Sequence, residues 1–584
     1  MKEEMDFERV EIDMATVSLL SQRFDELIDN NNYDTLEKLC EHLSKFNPKD
    51  SLVATQLYYI IGTGFSTIFS RRKDLYWFSE QISKAVLFFR KALHEASKIG
   101  SDYVKSESDG QTYSILELTS RIKTNLANYL SSQGRAFDAI PLYDDAIALS
   151  NPVAYLGKAR HLIFLAKVLY DDGHKFYHRK EAYRLIEQVY ERIDDFPTEI
   201  KKELLSDQTL NEFSEWFRKA YPNYKLNNLN TYKEKFNSRK QEQYLKWAAH
   251  NRLFINDLND ISVGELVYQD VLTLPSFCFQ LNPILSPSEE LVYHSHYDEM
   301  KNDYCYARYL LFSAKDIPNN VTHFSNSTFS HVDSLDFSIT NLKSNHYRSS
   351  FRILYSLFDK LSFFIHRFFN VNDLKSDKDI TFPKLFLINK NNKKIPHPHF
   401  KENKNYFFHA LYFILKDMRK TNDDLELDYW FDPEAKKFED IRNALEHRSL
   451  KLVDDFGFSL SQDSTYFEQC ITEMKDKIIA LNNDLEIINS KLTKQKKEKS
   501  VRKLINKKEL IINEVNQIQS RLDEKIKLSS HNLVISIGDF EARLMQLMKL
   551  ARNALMYLSL AIHFDERNKP NDGKTVLPIN VPLK

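Results

Sequence analysis

The stretch NLANYLSSQGRAFDAIPLYDDAIALSNP, residues 125–152, has the pattern of two helices joined by a tight turn. Gly134 lies where the turn is expected, because glycine adopts backbone conformations that other residues avoid. The second helix carries small or aromatic residues at intervals of four and three, which fall on one face: Ala139, Tyr143 and Ala146. Pro152 is expected to end that helix. The stretch therefore predicts a closely packed helical hairpin.

The same spacing recurs on either side of this hairpin. KAVLFFRKALHEA, residues 84–96, repeats it, and SLVATQLYYIIGTGF, residues 51–65, is the predicted partner helix. Residues 153–173 are predicted to open the next pair. The array resembles tetratricopeptide repeats, which implies a helical-repeat domain over residues 1–240. A generic array of α-hairpins is the alternative, because Lys123 stands where the repeat expects a large aromatic residue.

Composition favours the same fold class. The chain has 584 residues, which suggests several domains, and only 11 glycines, which suits long helices better than sheets with many tight turns. The net charge of −1 excludes attraction of the whole protein to nucleic acid, so any such binding requires a local basic patch. The four cysteines form no CxxC pair, which is typical of free thiols in a reducing compartment.

Targeting signals are not expected. The N-terminal stretch MKEEMDFERVEIDM is acidic and has no apolar core, unlike a signal peptide. No apolar run is expected to reach the roughly 18 residues that a membrane span needs. These features predict a cytoplasmic protein without a membrane partner.

The remainder of the chain divides into two predicted segments. Residues 241–290 contain Pro, Asn and Asp residues that interrupt regular secondary structure, and they are interpreted as an irregular bridging segment. Residues 291–584 form a second helical block with two insertions. The first insertion, residues 372–405, is polar and is predicted to lie on the surface. The second, residues 466–528, has heptad-like spacing and predicts an antiparallel coiled-coil hairpin.

The hexapeptide RNALEH, residues 442–447, is the best candidate for chemistry. It lies on a predicted helix whose buried face is formed by Phe438, Ile441, Leu445 and Leu452. On a helix, Asn443 and His447 share a face, and the long Arg442 side chain can reach the same side. A guanidinium group binds phosphate oxygens, and an imidazole with a pKa near neutrality moves a proton to or from a ribose hydroxyl. Because an Arg and a His at this spacing also occur by chance, an ordinary solvated helix face is the alternative.

The block that contains this motif resembles the HEPN family, whose nuclease signature is an Arg, a polar residue and a nearby His. The matching residues are Arg442, Asn443 and His447. The helix RILYSLFDKLSFFIHRFF resembles the HEPN helix that carries an acidic residue facing the signature, and Asp359 is the match. An exposed Asp359 that pairs with Lys360 or Arg352 is the alternative. The predicted fold is therefore all-α, with a tetratricopeptide-like array followed by a HEPN bundle.

The resemblance implies a metal-independent endoribonuclease without a cofactor that leaves a 2′,3′-cyclic phosphate and acts as a homodimer. RNA, possibly tRNA, is the implied substrate, in a bacterial antiviral defence or toxin role, and the repeats are expected to bind a protein or ligand trigger. A scaffold that dimerises and binds RNA or protein without turnover is the alternative. The basic tip of the coiled coil is a candidate RNA contact, although a solvated turn suits it equally well. Its basic residues are Lys494, Lys496, Lys497, Arg502 and Lys503.

Other site classes have little support. Two His-x-His pairs, at residues 294–296 and 397–399, lack an obvious third metal ligand. No glycine-rich phosphate loop of the GxxxxGK[ST] or GxGxxG type is present, which argues against a nucleotide-driven motor or a Rossmann enzyme.

Overall fold

The computed structural model describes most of the chain as α-helix, and the predicted all-α fold class is confirmed. The described residues are 12–100, 104–106, 112–196, 198, 201–202, 206–222, 236–261, 267–275, 287–319, 321, 323–325, 338–371, 374, 376–377, 380–390, 393–397, 402–418, 435–462, 465–494, 498–529 and 532–568. The acidic N-terminus, residues 1–11, lies outside them.

The N-terminal half is a succession of helices. They are α1 (Met14–Asp29), α2 (Tyr33–Leu43), α3 (Ser51–Arg71), α4 (Glu80–Ala96), α5 (Ile115–Ser132), α6 (Ala136–Ala148), α7 (Pro152–Val168), α8 (Asp172–Glu191), α9 (Gln208–Ala220) and α10 (Arg239–His250). The pairs α3 with α4, α5 with α6, and α7 with α8 pack as hairpins. Their finer assignment to tetratricopeptide repeats stays a prediction.

The hairpin of α5 and α6 forms as its sequence indicates, with one correction. Ala139, Tyr143 and Ala146 are buried, and Gly134 has a φ of +83° in the turn. A side chain at Gly134 would also place its Cβ 2.0 Å from the Tyr406 carbonyl oxygen, so only glycine fits. The prediction that Pro152 ends α6 is wrong. Pro152 is the first residue of α7, a position where proline is favourable because the backbone N–H there has no acceptor within the helix. The helix α6 ends at Ala148.

The C-terminal half contains longer helices. They are α11 (Pro287–Lys315), α12 (Leu342–Phe369), α13 (Phe382–Phe386), α14 (Tyr406–Asp417), α15 (Ala435–His447), α16 (Asp455–Gln462), α17 (Thr465–Lys494), α18 (Glu498–Ser529) and α19 (Ile537–Asn568). The described strands form three two-stranded sheets: β1 (Val104–Ser106) with β2 (Thr112–Ser114), β3 (Leu387–Lys390) with β4 (Lys393–Pro396), and β5 (Ser449–Val453) with β6 (Asn532–Ser536).

The contacts between residues divide the chain into two compact units. The first unit consists of residues 1–308, 353–437 and 548–584. The second consists of residues 309–352 and 438–547. The boundaries predicted from the sequence, at residues 240 and 290, stay a prediction. Within the predicted irregular bridge, however, α10 is a regular helix that ends at His250.

Long-range polar contacts connect distant parts of the first unit. The Tyr557 hydroxyl on α19 accepts the N–H of Phe137 and donates to the carboxylate of Asp138, both on α6. On α14, the carboxylate of Asp417 accepts from the buried guanidinium of Arg135 and from Arg90. The helical hairpins and the helices α14 and α19 therefore share one core.

Two features of the first unit differ from the sequence predictions. The polar segment 372–405 was expected on the surface, yet Phe386 within it is fully buried and its ring packs against those of Phe408 and Tyr412. The second feature is α3, which is long and apolar enough by length and composition to cross a membrane, contrary to the expectation of no such run. Since 67% of its most apolar window is buried within the fold, α3 has the character of a core helix.

The second unit contains the helical hairpin of α17 and α18. The ion pair between Lys477 Nζ and Glu514 Oε1, at 2.9 Å, joins the two helices at positions about equally distant from the turn. This is the antiparallel arrangement that the heptad-like sequence predicts. Elsewhere in the unit, Tyr347 on α12 donates to Glu541 on α19 at 2.7 Å, and Phe351 packs against Phe540.

Candidate functional site

The helix α15 carries RNALEH at its C-terminal end. Phe438 and Ile441 are buried, as their helical spacing predicts, and Phe438 packs against Phe351 of α12. Leu445 is only half-buried. Leu452, predicted on the same helix face, is buried instead in β5, so that prediction is wrong.

The polar residues of the motif lie on the more accessible side of α15. Arg442 and Asn443 are half-buried, and His447, the last residue of the helix, is exposed. Arg442 Nη1 donates to Asn443 Oδ1 at 3.2 Å. The structure therefore brings the predicted guanidinium and amide groups together, on the helix whose end presents the imidazole.

Two arginines of α12 contact the C-terminal end of α15 and the strand β5 that follows it. Arg352 donates from Nη2 to the Leu445 carbonyl oxygen at 2.7 Å and from Nε to the Glu446 carboxylate at 3.0 Å. Arg348 Nη2 donates to the Leu450 carbonyl oxygen at 2.8 Å. Carbonyl groups in the last turn of a helix have no partner within the helix, and a positive charge suits the negative end of its dipole. Burial, and then repulsion by Arg352, lowers the pKa of Arg348, which shows how close the two cations are.

A short parallel strand pair follows the motif directly. The strand β5 begins at Ser449, two residues after His447, and pairs in parallel with β6. Its other side receives Ile339, whose N–H donates to the Leu452 carbonyl oxygen at 2.7 Å. In sequence, SLKLV largely alternates polar and apolar residues, a strand signal that the helical interpretation of Leu452 overlooked.

Comparison with protein-family models identifies the region that contains this site. The model for LA2681-like HEPN matches residues 284–481 and 477–565. Residues 284–565 belong to the LA2681-like HEPN family. The HEPN assignment predicted from the sequence is thereby confirmed, and HEPN domains are typically ribonucleases. No curated protein and no solved structure matches the chain.

Asp359, the acidic residue predicted beside the signature, is exposed on α12. Its assignment to the site stays a prediction. Both partners considered for Asp359 make other ion pairs: Lys360 with Glu299 and Asp303, and Arg352 with Glu446.

The basic tip of the coiled coil is described only in part. Arg502 is exposed on α18. The side chains of the other four candidates lie outside the described residues: Lys494, Lys496, Lys497 and Lys503.

The two His-x-His pairs are also considered as metal sites. In the described part of the chain, no group of three or more His, Cys, Asp or Glu side chains is arranged to hold a metal ion. His296 packs its ring against Phe363 and Phe364, and His399 lies outside the described residues.

Sequence reasoning missed the role of Arg348 and considered Arg352 only as a partner of Asp359. These two arginines are four residues apart and therefore share a face of α12. That spacing was the available signal, but nothing in the local sequence indicates that their acceptors are backbone carbonyls more than 90 residues away.

Proposed function

We propose that this HEPN protein is a metal-independent endoribonuclease. RNA carries its own nucleophile, so cleavage requires a proton acceptor for the 2′-hydroxyl, a proton donor for the departing 5′-oxygen and positive charge at the phosphate. The products would be a 2′,3′-cyclic phosphate and a 5′-hydroxyl end. The observation that carries the proposal is the placement of Arg442, Asn443 and His447 on one helix end within the matched HEPN region.

Each motif residue has a distinct proposed role. The Arg442 guanidinium would bind the nonbridging phosphate oxygens and stabilise the additional negative charge of the pentacovalent state. The exposed imidazole of His447 would transfer the proton. Asn443 would fix the Arg442 side chain, with which it already shares a hydrogen bond. The role of Asp359 as a residue that orients or polarises Arg442 and His447 stays a prediction.

A homodimer would complete the chemistry. A single imidazole cannot readily act as base on one side of the phosphorus and as acid on the opposite side. A two-fold axis would supply the second His447 from the partner subunit. The N-terminal helical array would then regulate the dimer by binding a protein or ligand, in a defence or toxin role in the cytoplasm.

Cleavage of RNA by the full-length protein in EDTA tests this proposal. We expect the wild type to cut total bacterial RNA and to leave cyclic phosphate ends, and His447→Ala to lower the rate by roughly 100-fold or more, since general acid–base catalysis contributes that much. The matched control is His94→Ala, which removes an exposed histidine at the end of α4 and should leave the rate unchanged.

The alternative function is a HEPN scaffold that binds RNA or protein without turnover. RNA binding by the wild type and by His447→Ala with equal affinity, and cleavage by neither, would favour the scaffold. Equal cleavage by both would show that His447 has no catalytic role and would refute the assignment of the motif.

A further inference from the structure

A pocket of about 430 Å³ lies in the first unit, apart from the HEPN motif. Its walls come from α6, from residues 249–260 and from α19. Pockets that bind small molecules typically have volumes of about 300–1,000 Å³. Its size is therefore that of a site for a small metabolite.

Two buried donors in this pocket have no acceptor among the residues that the structure describes. One is Nη1 of Arg252, and the other is Nδ2 of Asn259, a residue that is only 1% exposed. Rotation of the Asn259 amide group would not remove the unpaired donor, because its Oδ1 already accepts a hydrogen bond from the N–H of Val267 at 2.6 Å. An unpaired buried donor costs about 1–3 kcal/mol, so two donors without an acceptor among the described residues suit a ligand that supplies acceptor oxygens.

The backbone at Arg252 adds a second unusual feature. Its φ of +56° is in the left-handed region, which normally favours glycine at the end of a helix. The turn is held by the Leu253 N–H, which donates to the Ala248 carbonyl oxygen at 2.8 Å. An arginine thus occupies a position for which its backbone is poorly suited, and its side chain lines the pocket.

Positively charged side chains also line the pocket. Lys549 on α19 lines it, and no carboxylate of the described residues forms an ion pair with its ammonium group. The pKa of Lys549 is lowered, first by loss of solvation and then by repulsion from Arg252 and Arg552. Three cationic side chains therefore converge on one small volume.

The carboxylates of the pocket are already neutralised. Asp144 pairs with Lys158 and Arg252, and Asp145 pairs with Lys123. Asp260 pairs with Arg552, whose five N–H groups are all used. Lys158 and Lys123 do not line the pocket, but because they pair with two of its carboxylates, Arg252 and Lys549 can face an anionic ligand such as a phosphate monoester, which carries about −1.5 to −2 at pH 7.

We propose that this pocket binds a small phosphorylated ligand of nucleotide size, with Arg252, Asn259 and Lys549 as donors to the phosphate. Guanidinium, amide and ammonium donors together suit the several oxygens of a phosphate better than the two oxygens of a carboxylate. Pro141 and Ala148 provide an apolar wall for the organic part. The site lies outside the RNALEH motif, so its occupancy does not depend on ribonuclease activity.

Calorimetric titration of the full-length protein tests the proposal. The probes are inorganic phosphate, the four 5′-mononucleotides and the uncharged nucleosides, in buffer with EDTA. We expect a mononucleotide to bind more tightly than phosphate, and its nucleoside not to bind. Lys549→Glu should weaken binding by roughly tenfold or more, because it replaces a charged donor with a like charge. The control Lys219→Glu reverses an exposed lysine of α9, outside the pocket, and should have no effect.

A second variant guards against indirect effects. Asn259→Asp keeps the acceptor for the Val267 N–H but replaces the free donor with a negative charge, and it should also abolish binding. His447→Ala should bind as the wild type does. The proposal is overturned if no phosphorylated probe binds, if nucleosides bind as tightly as nucleotides, or if Lys549→Glu binds normally. Equal binding of phosphate and nucleotides would overturn the nucleotide-size ligand and keep the phosphate site.

Discussion

The second half of α19 and the end of α15 are both held by arginine side chains, but at opposite extremes of burial. In the first unit, Arg552 is 2% exposed and donates all five N–H groups to Asp260, Asn553 and two backbone carbonyls. In the second unit, Arg352 is 51% exposed and makes two contacts to the end of α15. The buried arginine fixes the fold, whereas the exposed one leaves the candidate site accessible to a large substrate.

The same contrast extends to the surrounding residues. Asp260, beside Arg552, is 1% exposed, and loss of solvation raises its pKa despite the adjacent cations. Glu446, beside Arg352, is 44% exposed. An ion pair in solvent contributes little to stability, whereas one partner of a buried pair cannot be removed without leaving an uncompensated charge. The two regions should therefore respond very differently to substitution.

The largest effect is expected from Arg552→Met. The substitution leaves Asp260 buried without its main partner and should lower the free energy of unfolding by about 3–5 kcal/mol. Urea unfolding followed by tryptophan fluorescence measures it, because three of the four tryptophans, Trp77, Trp216 and Trp247, belong to the first unit, while Trp430 lies outside the described residues.

Arg23→Met is the matched control for that experiment. Arg23 pairs with Glu26 at 2.7 Å in the same unit, and the two side chains are 57% and 60% exposed. It should leave the fluorescence transition almost unchanged. The contrast breaks down if both variants shift that transition equally. Adding Asp260→Leu to Arg552→Met should recover part of the loss, because apolar replacements for a buried pair are tolerated.

An intermediate effect is expected from acid in the first unit. Burial lowers the pKa of the His161 imidazole to about 4. Its Nε2–H donates a hydrogen bond to the Ala136 carbonyl oxygen. Between the unfolded value of about 6.5 and the folded value, the unfolded chain binds a proton that the folded chain does not. The free energy of unfolding should therefore fall as pH is lowered through this window, by about 3 kcal/mol in full for this residue.

His161→Gln isolates that contribution. Glutamine retains an N–H donor but does not titrate, so the loss of stability between pH 7 and pH 5 should become smaller by about 2 kcal/mol. His94→Gln, at an exposed position, should leave the pH dependence as it is. A wild type whose fluorescence transition is equally stable at both pH values would contradict the prediction.

The smallest effect is expected from Arg352→Gln. The loss of its contacts with the Leu445 carbonyl oxygen and with Glu446 should destabilise the end of α15 by about 1 kcal/mol. Hydrogen exchange of residues 445–450 should become several-fold faster, and the tryptophan transition should not move. Arg448→Gln, which changes a neighbouring exposed arginine, is the control. Unchanged exchange would mean that α12 does not support the motif through this side chain.

Local sequence patterns predicted the helices and much of the candidate site, but not the strand and the arginine side chains that contact it. The periodicity of Phe438 and Ile441 indicated the buried face of α15, and the spacing of Arg442, Asn443 and His447 indicated its polar side. The strand after His447 and the arginines of α12 were missed, because their partners are distant in sequence. Phe386 was assigned to the surface because its polar neighbours outweighed its own apolar character.

The sequence by itself determined the helical fold, the hairpins and the HEPN signature, since each depends on residues within a few turns of one another. Only the tertiary structure decided that Arg552 is buried against Asp260, which is 292 residues away, and that a pocket with unpaired donors lies beside this pair. The sequence around a charged helix residue does not indicate whether its side chain is buried. Its environment is set by which distant segment folds onto it, because burial of a charge is stable only where that segment supplies the compensating partner.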